Sequence, residues 1–191
     1  MGSDKKSIEL SIIYQSADNG EVFLRDVLTG NDYIDEEGYE PGNFWGCCGG
    51  LEIVIDEYKV IFRSLDFHYL CKVINFLLHT QYKIKGKTSS WFDDGSPDSV
   101  TVQTTGGHSL IVTVLSENVS ISYLRKGDTR DNKVRGDRFF TAILINKNDF
   151  FNATTIALGE YFVILEQIIN NTPGNSIVDT MKAMLAVWKA V

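Results

Sequence analysis

Three short segments rich in apolar and β-branched residues, at positions 100–104, 110–115 and 119–124, constrain the fold more than any other feature of the sequence. Gly106-Gly107 separates the first two segments and Glu117-Asn118 separates the last two, and both positions suit tight turns. Strands joined by such short turns pair as neighbours in an antiparallel meander. The sequence therefore predicts an antiparallel sheet as a main component of the fold.

Further strands are predicted on both sides of this meander. Apolar residues at positions 8, 10, 12 and 14 alternate with polar neighbours, and residues 21–27 predict a second strand. Residues 51–55 and 59–63 lie on either side of a polar turn, which indicates a hairpin. Residues 139–145 form an uninterrupted apolar run that is typical of a strand covered on both faces.

A mid-chain helix is predicted after the hairpin. Apolar residues between positions 67 and 78 recur at the spacing of one helical face. Ser64 or Asp66, just before this stretch, can cap the helix. The polar connection that follows contains Trp91-Phe92, two aromatic residues that a fully solvated loop does not need. We expect part of this connection to pack on the core.

Two more helices are predicted at the C-terminal end. Asn148 can cap a long helix that Pro173-Gly174 ends, and Ser176 with Asp179 has the spacing of a capping box for the last helix. Strands in blocks and helices at the end favour an α+β fold over an alternating βαβ arrangement. We expect a mostly antiparallel sheet with one mid-chain helix and two C-terminal helices packed on it, and residues 1–191 as a single α+β domain.

The negative charge of the chain is unevenly distributed. Residues 1–57 contain 13 acidic and three basic residues, a net charge of −10, whereas residues 58–191 contain 12 acidic and 15 basic residues, a net charge of +3. These two values sum to the net charge of −7 for the whole chain. An acidic face repels nucleic acid and anionic membranes, and it attracts a basic partner.

The expected location is the cytoplasm. No stretch reaches the roughly 18 apolar residues of a membrane span, and the first ten residues have no apolar core of a secretory signal. Three cysteines, two of them adjacent, make a poor disulfide framework, which favours a reducing compartment. We expect no membrane association, and the sequence leaves a homo-oligomer open.

The adjacent thiols Cys47 and Cys48 carry the main enzyme hypothesis. The flanking glycines could leave a thiol accessible, and His68 or His108 could act as its base. The same two cysteines with His68 and Cys71 could in principle hold zinc, but the usual spacer between zinc-binding cysteines is absent. We therefore predict no cofactor and treat a small cysteine-dependent enzyme as the alternative function.

Two ligand-binding motifs are matched only in part. The segment Lys85-Gly86-Lys87-Thr88 resembles the end of a phosphate-binding loop, but Gln81 stands where that motif requires its first glycine. Placing Gly38 at position six of a calcium-binding EF-hand loop puts Tyr33 and Phe44 at its two ends, where neither can ligate. Neither motif predicts a ligand.

A second charged stretch, residues 125–138, is named here the basic segment. Its bases are Arg125, Lys126, Arg130, Lys133, Arg135 and Arg138. Three aspartates dilute them, and no aromatic residue lies among them to stack on a base. Nucleic acid is therefore an unlikely partner.

Residues 32–45, named here the acidic segment, are the strongest candidate site. Interfaces favour tyrosine and tryptophan anchors, and carboxylates around such anchors select a basic partner. The candidate partner-binding residues are Asp32, Tyr33, Asp35, Glu36, Glu37, Tyr39, Glu40, Phe44 and Trp45. The alternative is that Phe44 and Trp45 only fix this loop to the core.

The function expected from these features is a non-catalytic protein-binding module with the acidic segment as its recognition surface. An inhibitor or immunity-type protein that covers a basic partner is one concrete form of such a module. No catalytic residue and no metal site is predicted for it.

Overall fold

The structure, a computed structural model, describes residues 7–16, 20–56, 59–67, 69–92, 96–126 and 139–191. It has an α+β fold with two four-stranded antiparallel sheets, a mid-chain helix and two C-terminal helices packed against them. The predicted fold class is confirmed, while the number of sheets follows from strand pairing between distant residues that the sequence does not reveal.

The first sheet, sheet A, has the strand order β2-β1-β3-β4. Its strands are β1 (Ile8–Ser16), β2 (Gly20–Phe23), β3 (Gly49–Ile55) and β4 (Lys59–Phe67). Strand β3 begins with the glycine pair Gly49-Gly50. A Cβ atom at Gly50 would overlap the backbone carbonyl of Ser64 in β4, so only glycine allows the two strands to approach this closely.

The second sheet, sheet B, is a meander with the order β5-β6-β7-β8. Its strands are β5 (Ser99–Gln103), β6 (Ser109–Val114), β7 (Asn118–Leu124) and β8 (Phe140–Asn146). The predicted meander is confirmed. The expectation that the apolar run at 139–145 is covered on both faces is wrong, because β8 is an edge strand in which Leu144 is 52% exposed.

Five α-helices complete the described structure. They are α1 (Leu24–Thr29), α2 (Pro41–Gly46), α3 (Leu70–Ile84), α4 (Lys147–Asn171) and α5 (Ser176–Lys189). Helix α1 occupies part of the segment predicted as a second strand. Short apolar runs fit both strand and helix periods, and Gly30 ends this one in the left-handed conformation with φ 74°.

The predicted helix starts are displaced by one to several residues. Strand β4 continues to the buried Phe67, so α3 begins beyond the expected caps Ser64 and Asp66. The side chain of Asn146, two residues before the predicted cap, accepts hydrogen bonds at the start of α4. Asn175 does the same for α5, in place of the predicted capping box.

Each of the two long helices packs mainly against the sheet that does not directly precede it in the chain. Helix α3 follows sheet A but packs mainly on β5 of sheet B, and α4 follows sheet B but packs mainly on β1 of sheet A. The helices contact each other, and the buried Gln81 side chain of α3 donates to the hydroxyls of Thr154 and Thr155 of α4 at 3.1 and 2.8 Å. One cluster of buried apolar side chains includes members of both sheets.

Two buried tyrosines are expected to respond oppositely to loss of the hydroxyl. Within the described residues the fully buried Tyr161 hydroxyl has no hydrogen-bond partner, whereas the Tyr82 hydroxyl donates to the carbonyl of Val187 at 2.8 Å. Tyr161→Phe should raise the free energy of unfolding by about 1 kcal/mol, and Tyr82→Phe should lower it by about 1 kcal/mol. Urea denaturation of both variants measures this, and a destabilised Tyr161→Phe variant would contradict the unpaired hydroxyl.

Candidate functional site

The acidic segment is largely helical and not an irregular loop. It contains a 3-10 helix (Glu37–Tyr39) and α2, in which Pro41 occupies the first helical position that its fixed φ favours. The Phe44 amide donates to the Glu40 carbonyl at 2.9 Å, and the Asn43 side-chain amide donates to the Glu37 carbonyl at 2.9 Å. The backbone that carries the glutamates is therefore fixed by its own hydrogen bonds.

Asp35 has a structural position within this segment. One carboxylate oxygen accepts the Gly38 amide at 2.6 Å, and the other accepts the hydroxyl of Ser16 at 2.8 Å. Ser16 is buried at the end of β1, so Asp35 ties the acidic segment to sheet A. A carboxylate that already accepts two hydrogen bonds is less available to a partner than a solvated one.

Gly38 lies where the segment approaches sheet A most closely. A Cβ atom at this position would lie 2.7 Å from the Tyr14 hydroxyl, well inside van der Waals contact. Burial raises the pKa of Tyr14, and the neighbouring Cys47 and Asp35 raise it further, so this hydroxyl stays protonated. The glycine in the acidic run is thus required by packing.

Phe44 anchors the segment in the core. Its ring is fully buried and stacks on Tyr14 of β1 and on Tyr161 of α4, with ring centroids 5.9 and 5.3 Å apart. Tyr39 and Trp45 are half-buried and pack against the same cluster. The alternative considered from the sequence, that Phe44 and Trp45 fix this segment to the core, therefore agrees with where both side chains lie.

The remaining predicted residues form an exposed surface. Tyr33 is 59% exposed, and the side chains of Glu36, Glu37 and Glu40 are exposed. Asp32 is half-buried and accepts the Tyr33 amide at 2.8 Å. Within the part of the chain that the structure describes, none of these carboxylates is in an ion pair.

The arginines of sheet A and α1 are already paired with other acids. Arg25 pairs with Glu9, and Arg63 pairs with Glu21 and, at 3.5 Å, with Glu52. Both described arginines of the first 67 residues are therefore paired with acids outside the acidic segment. The exposed glutamates of residues 32–40 carry negative charge that these arginines do not neutralise.

Cys47 has the environment of a structural thiol. It is half-buried at the end of α2, and its Sγ donates a hydrogen bond to the Phe44 carbonyl at 3.1 Å. Burial raises the pKa of Cys47, and the nearby Cys71 and Cys48 raise it further. An activated nucleophile requires the opposite shift, so these features disfavour Cys47 as a catalytic residue.

The other members of the proposed enzyme are only partly described. Cys48 is exposed, and the enzyme hypothesis stays a prediction for this thiol. His68 lies outside the described residues. His108 lies just before β6, and its Nδ1 accepts the Lys126 amide at 3.1 Å, so this nitrogen is occupied.

No group of three histidine, cysteine or acidic side chains that could hold a metal ion lies among the residues that the structure describes.

In the basic segment only Arg125 and Lys126 are described, and the Arg125 guanidinium lies over the Phe139 ring at 5.3 Å. The other four bases of that segment, Arg130, Lys133, Arg135 and Arg138, lie outside the described residues. Among the helices of the described part, none is both long and apolar enough to cross a membrane.

The residues that the sequence analysis missed are the supports of the site. Ser16, Tyr14 and Tyr161 fix Asp35, Gly38 and Phe44, yet they lie on β1 and α4, far from the acidic segment in sequence. No local pattern in the sequence indicates such contacts.

Comparison of the chain with protein families, with curated proteins and with solved structures finds no match in any of the three.

Substitutions at the two ends of the segment should separate its structural part from its exposed part. Phe44→Ala removes a fully buried ring and should lower the free energy of unfolding by about 3–5 kcal/mol. Tyr33→Ala should change it by less than about 0.5 kcal/mol, because the side chain is mostly in solvent. Chemical denaturation measures both values, and similar losses from the two variants would contradict this division.

The raised pKa of Cys47 predicts slow alkylation. In a Cys48→Ser variant, iodoacetamide should modify Cys47 more slowly in the native protein than in urea between about pH 6 and pH 9, because little thiolate forms below the raised pKa. Mass spectrometry of the digested protein follows the reaction at this position. Native labelling at pH 6 that is faster than in urea would instead indicate an activated thiol.

Proposed function

We propose that the chain is a non-catalytic protein-binding module and that the exposed face of the acidic segment recognises a basic partner. The recognition residues are Asp32, Tyr33, Glu36, Glu37 and Glu40. The observation that carries this proposal is that the three glutamates are exposed and make no ion pair within the described residues. Asp35, through its hydrogen bonds, and the buried Phe44 attach this surface to the core, and Tyr39 and Trp45 pack against the same core.

The chemistry of the surface favours a protein partner rich in lysine or arginine. Exposed charge pairs contribute modestly to affinity, but a field of one sign speeds association and rejects acidic competitors. The exposed ring of Tyr33 can supply the buried contact area that charge pairs alone do not give. The carboxylates therefore select the partner by its charge, and the Tyr33 ring supplies apolar contact area.

The backbone of the segment supports binding without prior ordering. The Asp35 carboxylate, the Asn43 side chain and the buried Phe44 ring hold the turns from which Glu36, Glu37 and Glu40 project. A surface that is already ordered loses less conformational entropy when a partner binds. This is the property expected of an inhibitor or immunity-type protein that covers a basic site on another protein.

Other parts of the proposal come from composition. Three cysteines without a disulfide suit a reducing compartment, so a cytoplasmic location stays a prediction, as does the organisation of residues 1–191 as one domain. The sequence also leaves self-association open. None of these points is needed for the binding surface itself.

A charge reversal with a matched control tests the recognition surface. Glu36→Lys with Glu37→Lys changes the net charge by twice +2, from −7 to −3, and Glu117→Lys with Asp179→Lys makes the same change at exposed positions elsewhere. We expect the wild type and the control to capture the same partner, and the first variant to recover at least about tenfold less of it. Quantitative mass spectrometry of proteins captured from the native cell extract measures this.

The folded state of each variant is checked by its thermal midpoint before capture. The captured partner should be basic, and its recovery should fall as the salt concentration is raised, because exposed charges are screened. Equal recovery of the same partners by all three proteins would remove the acidic segment as the recognition surface.

A further inference from the structure

The four edge strands of the two sheets differ in how they resist pairing with another strand. Strand β2 has only four residues, and the pairing of β4 with β3 shifts register at two points. Strand β8 shifts register against β7, and its Ala142 has a φ of 56°, which bends the edge. Short, bulged or bent edges are how proteins prevent addition of another strand.

Strand β5 has none of these features. It pairs with β6 over five consecutive residues without a register shift, from Ser99 opposite Thr113 to Gln103 opposite Ser109. The five residues of β5 include no proline, no glycine and no charge, and their alternation of valine with serine, threonine and glutamine suits a strand. Among the described residues, no strand pairs with this edge.

Backbone hydrogen bonds at the two ends of β5 show which of its groups point outward. Val114 donates to the Asp98 carbonyl at 2.7 Å, and Thr104 donates to the His108 carbonyl at 2.9 Å. Hydrogen-bonded pairs recur at every second residue of an antiparallel ladder, so the even-numbered residues of β5 face β6. The N–H and C=O groups of Ser99, Thr101 and Gln103 therefore point away from sheet B.

Two of these outward residues, Thr101 and Gln103, line an open groove. A cavity of about 380 Å³ is lined by residues 100–103 of β5, by α3 and by the aromatic pair Trp91-Phe92. The α3 residues that line it include Lys72, Asn75 and His79, which share one helical face because they are three and four residues apart. A strand added to β5 would run along this groove about 4.8 Å from β5.

The aromatic wall of the groove is held in place by α3. The Trp91 indole N–H donates to the side-chain oxygen of Asn75 at 2.7 Å, and the Phe92 ring stacks on His79 with centroids 4.6 Å apart and planes within 6°. The expectation that this connection packs partly on the core is confirmed, because both aromatic residues are half-buried and contact the core cluster. The wall is therefore formed before any partner arrives.

We propose that β5 binds an extended peptide segment of another protein, which adds to sheet B as a fifth strand in this groove. Only an extended polypeptide offers alternating donors and acceptors at the spacing of about 6.8 Å that separates the outward residues of β5. Trp91 and Phe92 select an apolar or aromatic side chain of the peptide. Lys72, the one charged residue among the described residues that line the groove, selects an acidic side chain.

This site differs from the acidic segment in both position and partner chemistry. The acidic segment attracts basic groups, whereas the described residues that line the β5 groove include a lysine and no acidic residue. The two sites can therefore be tested independently, and failure of one leaves the other unaffected.

The probe is a display library of random peptides about nine residues long, selected on the full chain and then synthesised. We expect the enriched peptides to combine an apolar or aromatic residue with an acidic one and to bind with micromolar affinity. N-methylation of the peptide amides that face β5 should weaken binding about tenfold or more, while N-methylation of the alternate amides should not. This comparison uses the unmodified protein, so it does not depend on the folding of a variant.

Variants of the protein give the complementary comparison. Thr101→Pro removes an outward N–H without removing a bond to β6 and should weaken peptide binding about tenfold, whereas Thr101→Val keeps the N–H and should bind normally. Isothermal titration measures each affinity.

Four results would overturn the proposal. They are no enriched peptide, equal affinity for all N-methylated forms, loss of binding in the Glu36→Lys, Glu37→Lys protein, and a dimer in sedimentation that Thr101→Pro abolishes. The last result would assign this edge to a second copy of the chain.

Discussion

The ring of Phe44, buried between Tyr14 and Tyr161, is the contact on which the rest of the structure depends. Tyr14 belongs to β1 of sheet A and Tyr161 belongs to α4, so this stack joins the acidic segment, a sheet and the longest helix at one point. All three rings are almost completely buried, and aromatic contacts of this kind add to the free energy gained by burial. The buried Ile34, the half-buried Tyr39 and Trp45, and the two hydrogen bonds of Asp35 add further contacts between residues 32–45 and the core.

The exchange of helices between the sheets explains why the two candidate surfaces lie where they do. Because α4 crosses from sheet B to pack on β1, its Tyr161 reaches the acidic segment. Because α3 crosses from sheet A to pack on β5, it lies beside the free edge of sheet B and supplies one wall of the groove there. Each surface is therefore built from parts of both halves of the chain.

Local pattern predicted the fold class, most of the strands and the approximate positions of three helices, because burial on one face leaves a period of two or three to four residues in the sequence. It did not predict α1 or α2, since six-residue helices contain too few turns to establish a period. The roles of Asp35 and Phe44 depend on Ser16, Tyr14 and Tyr161, which are distant in sequence. The open edge of β5 depends on strand order, which periodicity does not encode.

Hydrogen exchange of the Phe44 amide tests most directly whether the acidic segment is fixed by the core. This amide donates to the Glu40 carbonyl in a helix of only six residues, which would be marginal without tertiary packing. If the buried ring holds the segment, the Phe44 amide should exchange as slowly as the amides of β1, through unfolding of the whole protein. Exchange near the rate of an unfolded chain while β1 stays protected would contradict the account.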